Sequence, residues 1–325
     1  MVKFILKRLL WVIPVMLGVI FIVFAIDRFS PGDPVAAELG SGYTQEQYDA
    51  KEAELGLDRP FFIQFGSYVL GLLQGDLGHS YHTGLSVTGS IAERFPITLR
   101  LAIISILIAV GLGIPFGVIS ATKQYSWADK LVTTFSLIFA AMPGFWLALM
   151  LIICFAIQIK LFPASGYEGW KCWVLPALAS GLSFIATITR MTRSSMLDVV
   201  RQDYITTARA KGVAEGTVVR KHALRNALIP IITTIGFQFG ILVAGSVNVE
   251  TIFNMPGMGS LMMTAINNKD YPVIEGCVLV LSILICLINL VVDVIYGFVD
   301  PRIMSMYTSG KKKDRKKRVE AEVQS

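Results

Sequence analysis

The 325 residues carry 54% hydrophobic and only 16% charged side chains, with a formal net charge of +6. Mean hydropathy is +0.62. That leaves too little polar surface for an ordinary water-soluble enzyme, and it points to an all-α polytopic membrane protein with room for several spans of about 20 residues each.

In chain order, hydropathy marks six apolar segments, at 9–26, 97–121, 131–157, 174–189, 227–249 and 273–298. The first follows "MVKFILKR", a signal-like start. Its apolar stretch is longer than a typical signal's, and no small-residue cleavage pattern precedes Asp27, so it reads as a retained anchor. The fourth is the shortest, and its end is blurred by Arg190 and Arg193. Pro115, Pro143 and Pro230 fall inside spans, as do two pairs of glycines at spacing four, Gly113 with Gly117 and Gly236 with Gly240. Kinks and close helix approach are expected there. One set of alternate connections collects 21 Lys and Arg residues, the other seven. By the positive-inside rule both termini, and the insert between the fourth and fifth spans, are cytoplasmic, and the segment 27–96 lies outside.

The organisation read from this is an anchor plus external segment at 1–96, a transmembrane domain at 97–303 and a basic tail at 304–325. The run "KKKDRKKRVEAEVQS" reads as a solvated extension beside anionic membrane lipid. No aromatic residues or motif accompany it, so nucleic acid is not expected as a partner.

The span centres are nearly free of ionisable residues. Asp293 comes closest, toward the end of the sixth, and offers no proton relay. No lysine is followed by Ser or Thr, which excludes a GxxxxGK[ST] phosphate loop, and neither GxSxG nor HExxH occurs. His79 and His82 are three apart in a Gly-rich stretch without a nearby Cys or carboxylate pair, so no metal site is expected. Cys154, Cys172, Cys277 and Cys286 show no CxxC spacing. The chain is therefore expected to be no enzyme and to bind no cofactor of its own. If it moves something uphill, another chain supplies the energy.

The insert "RQDYITTARAKGVAEGTVVRKHALRNALIP" (201–230) is the informative exception. Asp203 reads as an N-cap for a short helix, and Gly212 as the left-handed residue that ends it. A second helix from about Glu215 runs on toward Pro230. Tyr204, Ala208 and Lys211 share one face of the first helix at spacings of four and three. Two readings of these residues stand side by side: a positive loop resting on anionic lipid, and a rigid lever that fits a cytoplasmic motor.

The stretch "TTARAKG" followed, eighteen residues on, by Pro230 resembles the EAA loop of bacterial ABC importer permeases. Ala208, Gly212 and Pro230 match that pattern, while Thr206 and Thr207 replace its Glu and first Ala. "SPGDP", "LGLDRPFFIQF", "QGDLGHSY", "VETIFNMPGMG" and "DPRI" further resemble the first permease subunit of the dipeptide, oligopeptide and nickel branch. The resemblance implies a type I ABC importer transmembrane fold in the bacterial cytoplasmic membrane. It also implies a similar second permease, two cytoplasmic ATPases that hold ATP and Mg, an extracytoplasmic solute-binding protein and a peptide cargo, with nickel, glutathione or a sugar as alternatives. The loop would then be the coupling helix. Tyr204 and Ala208 would fill an ATPase groove, Arg209 and Lys211 would pair with acidic groups, Asp203 would start the helix and Gly212 would set the turn. "AAMPGFW" places Met142, Pro143, Phe145 and Trp146 inside the third span as candidates for the pathway lining, with core packing as the plainer alternative. A non-transporting membrane scaffold is the rival from another class.

Overall fold

A computed structural model describes residues 2–29, 34–40 and 42–299. The chain forms α1 (Val2–Phe29), α2 (Pro34–Leu39), α3 (Gln45–Glu54), α4 (Phe61–Leu73), α5 (Val87–Thr122), α6 (Trp127–Ala141) and α7 (Gly144–Leu151). It continues as α8 (Lys171–Val200), α9 (Asp203–Ala210), α10 (Glu215–Thr217), α11 (Arg225–Gly245), α12 (Val247–Ile252), α13 (Met258–Asn268) and α14 (Tyr271–Val299). Two π-helical stretches, Ile152–Gln158 and Val218–Leu224, extend α7 and join α10 to α11. Among the described residues the only β pairing is a single bridge between His79 and Ser86. The "DPRI" stretch, the basic tail and most of "SPGDP" lie outside the described residues.

Among the described residues, four continuous helices are long and apolar enough to cross a bilayer: Val87–Thr122, Lys171–Val200, Glu215–Ala244 and Tyr271–Ile295. They correspond to the second, fourth, fifth and sixth expected spans. Arg190 and Arg193 do not end the fourth, because α8 continues through them to Val200. The first expected span lies inside α1, whose 28 residues reach roughly 42 Å at the α-helical rise.

The third expected span requires correction. It is not one helix: Trp127–Ala141 and Gly144–Gln158 meet at 104°. Pro143 sterically disfavours the helical region for the residue before it, and Met142 accordingly sits extended at ψ 130°. Gly144 then opens the next helix, so the Met-Pro-Gly triplet breaks the span where a lone proline would only bend it.

The glycine pairs set the packing of the body. A Cβ at Gly113 would stand 2.9 Å from Ile188 Cβ, and one at Gly117 only 2.7 Å from the Thr189 carbonyl oxygen. Gly181 makes the reciprocal approach, 3.2 Å from the Ser105 carbonyl oxygen. Positions on α5 and α8 rise together along these contacts, so the two helices run parallel at near-backbone distance. Gly236 and Gly240 face Val292 and Ile285 of α14 in the opposite order, which makes α11 and α14 antiparallel. Both directions suit a chain that crosses a membrane alternately. Enlarging such a contact forces the helices apart, at about 1–3 kcal/mol for overpacking. Gly117→Leu should therefore lower the thermal unfolding temperature of the detergent-solubilised protein. Gly111→Leu, on the same helix but with nothing within 4 Å, should leave it unchanged.

Candidate functional site

α9 folds across the foot of α8 and the start of the α10–α11 helix, and it is built in two halves. Its inner half is welded to the body. Ile205 is fully buried and shares a core cluster with Ala121, Met196, Val218, Ala223, Ala227 and Ile231. Its end is a Schellman turn, in which the Val213 N–H bonds to the Ala208 carbonyl (3.3 Å) and the Gly212 N–H to the Arg209 carbonyl (2.9 Å). Gly212 takes φ +76° to make it, and Val213 returns to pack on the same cluster as Ala208. The spacing of Ala208 and Gly212 thus has a local physical cause.

The outer half is open, with Asp203, Tyr204, Thr207, Arg209 and Lys211 exposed. Three expectations change in detail. Gln202, extended at φ −77° and ψ 149°, occupies the cap position without a side-chain bond to the N–H groups of α9, its Nε2 donating back to the Asp198 carbonyl at 3.1 Å, and Asp203 is the first helical residue. There its carboxylate still complements the positive helix end. Ala208 is half-buried against the Ile205 cluster and does not stand out beside Tyr204, because Ile205 fixes the rotation of the helix. Arg209 spends its guanidinium on Glu215 of the same chain, with Nε and Nη2 donating at 3.1 and 2.6 Å. That bond holds the Arg209 guanidinium above its ordinary range. The pair braces the two arms of the elbow, since it links α9 to the first residue of α10.

Two helical turns back along α8, a buried ion pair fixes the elbow's upper arm to its neighbours. Arg193 donates to both oxygens of Asp129, from Nε at 3.0 Å and from Nη2 at 3.1 Å, and Nε also reaches Ser120 Oγ at 2.9 Å. Asp129 additionally accepts from Ser120 Oγ, from Thr133 Oγ1 and from the Tyr125 N–H. One carboxylate thereby ties the end of α5, the start of α6 and α8 together. Sequence reading missed it, treating Arg193 only as a blurred span end. The available signals were the Ser126-x-x-Asp129 helix start and the costliness of an arginine within an apolar helix.

At the span break, a cavity of about 220 Å³ opens between α7, α8, α11 and α12, lined by Gly144, Phe145, Ser180, Ser183, Ser246 and Asn248 among others. Of the four candidate pathway residues only Phe145 lines it. Met142 is half-buried, while Pro143 and Trp146 are exposed elsewhere on the break. The polar groups of the lining are hydroxyls and an amide, without a charge.

The "VETIFNMPGMG" stretch proves to be a knot around one carboxylate. Glu250, fully buried, accepts from Thr98 Oγ1 at 2.6 Å and from the Ser260 N–H at 3.1 Å, while Thr98 Oγ1 accepts the Met258 N–H at 2.8 Å. Gly257 and Gly259 abut the carboxylate, and a Cβ at either would collide with it. Asp270 makes a second tie, accepting from Ser80 Oγ and from the Tyr81 N–H, and so anchors the loop that carries His79 to the α13–α14 turn. Glu250→Ala would leave the buried Thr98 hydroxyl without its acceptor, at about 1–3 kcal/mol, and release the half-buried Ser260 N–H as well. Reduced thermal stability and increased proteolysis at 250–260 are the expected outcome.

Comparison with known proteins places this arrangement. The family model described as binding-protein-dependent transport system inner membrane component matches residues 113–305, and the corresponding N-terminal model matches residues 1–102. A protein of Brucella abortus strain 2308 named for a peptide transport system permease is 41% identical over 311 residues, covering 93% of this chain and 99% of its own. A glutathione transport system permease of Escherichia coli O6:H1 is 41% identical over 303 residues, with the same coverages. In fold, the chain is similar to a subunit of the MetNI methionine ABC transporter, with TM-score 0.57 and 20% identity over 65% of this chain and 96% of that one. An amino acid ABC transporter gives TM-score 0.52 at 13% identity, covering 64% and 93%. The chain belongs to the binding-protein-dependent transport system inner membrane component family and is a permease subunit of an ABC importer.

Proposed function

We propose that this chain passes short peptides across a bacterial cytoplasmic membrane, paired with a similar permease, driven by two cytoplasmic ATPases and loaded by an extracytoplasmic binding protein. The observation that carries the reading is the two-faced elbow. Its inner face is continuous with the core at the foot of α8 and α11, and its outer face, Asp203, Tyr204, Thr207 and Lys211, is free to enter a groove on another protein. A rigid part with one welded and one open face suits transmission of force. A loop that only rested on lipid would need neither the Schellman turn nor the Arg209–Glu215 brace. In this mechanism ATP closes the motor subunits on each other, and the displacement enters the spans through α8 and the α10–α11 helix, turning the cavity outward. ATP can drive that change only as far as it binds one conformation better than the other.

Peptide cargo is supported by the naming of the Brucella relatives and by the uncharged, hydroxyl- and amide-bearing lining at the span break, which suits backbone groups more than a fixed charge. Glutathione, itself a small peptide, is the second reading, favoured by relatives of equal identity. The test is uptake into proteoliposomes containing the chain with its genomic partner subunits and binding protein. ATP-dependent accumulation of labelled di- or oligopeptide, outcompeted weakly by glutathione, is expected. Accumulation of glutathione alone would favour the second reading, and uptake without ATPase subunits would remove both.

A further inference from the structure

α4 carries a surface whose partner can be named from its depth. The helix is short, 13 residues of "FFIQFGSYVLGLL" without a charge. At roughly 20 Å long it cannot cross a bilayer. One face is taken: Phe61, Phe65 and Tyr68 pack on Phe24 of α1 at centroid distances of 5.4, 5.5 and 5.6 Å, and Phe65 also meets Phe21 at 5.4 Å. Tyr68 shares a narrow cleft with Val19, Ile20 and Val23 of α1 and with Glu275, Val278 and Leu279 of α14. Phe24 and Val23 stand two and three residues inside the end of the first expected span, and Glu275, Val278 and Leu279 lie in the first three turns of α14. α4 therefore lies against the terminal turns of two spans, at the boundary between headgroups and acyl chains.

The opposite face is apolar and bare. Phe62, Leu70 and Leu73, spaced with Gly66 at four, four and three, are 77%, 61% and 80% exposed. The loop before the helix and the helix's last turn both have backbone carbonyls satisfied within the chain. Gln64 Nε2 donates to the Leu57 and Arg59 carbonyls at 3.0 and 2.7 Å. Gly75 closes a Schellman turn, with the Asp76 N–H on the Gly71 carbonyl at 3.0 Å. Asp58 and Arg59 at one end and Gln74 and Asp76 at the other keep both termini at polar level. We infer that α4 lies in the plane of the extracytoplasmic leaflet with Phe62, Leu70 and Leu73 among the acyl chains, so the segment between α1 and α5 is partly a membrane-embedded element. The inference rests on the reading of α1 as a span with its later end outside.

The test places single spin-labelled cysteines at Phe62, Leu70 and Leu73 in the assembled importer in bilayers, with exposed native cysteines replaced. Ile22 of α1 and Ala50 of α3 serve as references. Labels on α4 should collide with oxygen as readily as the one at Ile22 and be shielded several-fold from a water-soluble nickel chelate relative to Ala50. Strong nickel contact would show the face in water, and shielding from both reagents would show it covered by a protein subunit. Either result overturns the inference while leaving the importer reading intact. An Ile22 label found in water would instead remove the span assignment, and the inference with it. Three label sites guard against any one variant failing to assemble, and retained uptake identifies those that are read.

Discussion

Gly212→Val should leave the importer assembled in the membrane but cut both ATP-dependent uptake and substrate-stimulated ATP hydrolysis. Nothing lies within 4 Å of a Cβ built at Gly212, so the added side chain meets no clash. The whole cost is the backbone, held at φ +76°. An ordinary L residue pays about 1–2 kcal/mol to stand there, which is a factor of about 5–30 in how often the turn is closed. With the turn open, the Val213 N–H leaves the Ala208 carbonyl and α9 is held to the foot of α11 only through Ile205 and the Arg209–Glu215 pair. Gly212→Asn tests the cause, because asparagine tolerates the left-handed region and should retain most of the activity. Equal loss in both variants would mean that the position matters for a contact and not for its conformation.

The second large effect is expected at Asp129. Asp129→Ala removes the partner of a half-buried guanidinium, the Arg193 side chain being 29% exposed beside a buried Asp129 at 7%. Breaking a buried pair by deleting one member costs about 3–5 kcal/mol. Thermal unfolding of the single variant should therefore begin well below that of the parent, with α6 and α8 free to separate. The double variant Asp129→Leu, Arg193→Met should recover much of that stability, because a buried pair exchanged for apolar groups of similar volume is often neutral. If the double variant is stable but fails to couple ATP to uptake, the ion pair serves transmission as well as folding. An unchanged unfolding temperature in Asp129→Ala would contradict the geometry.

The continuous spans were legible because a long apolar run predicts a helix in lipid without reference to any contact. The broken one was not. Pro96, Pro115, Pro176 and Pro230 all sit within unbroken helices, and among the prolines inside the expected spans only Pro143 is joined to a glycine that opens a new direction. The elbow was legible in outline for a related reason, since helix, glycine turn and second helix are local signals. Its rotation was not, because the face that turns inward is chosen by Ile205 meeting Met196 and Ile231, contacts outside the insert or at its end. The buried carboxylates were the least visible. Asp129 meets Arg193 across 64 positions and Glu250 meets Thr98 across 152, and pairings so distant leave no periodic trace in one sequence. The insert's charge was read correctly as a concentration of cations, yet its best-placed arginine, Arg209, holds the chain's own Glu215.

The central claim is that the elbow carries work from the ATPases into the spans, and proximity in the assembled importer tests it most directly. A cysteine at Tyr204, 45% exposed on the open face, should crosslink through a short bifunctional reagent to an ATPase subunit. The yield should change between the nucleotide-free and ATP-trapped states, while a cysteine at Ala50 on α3 should never reach that subunit. A Tyr204 cysteine that finds no ATPase in either state, in a complex that still imports its cargo, would contradict the account.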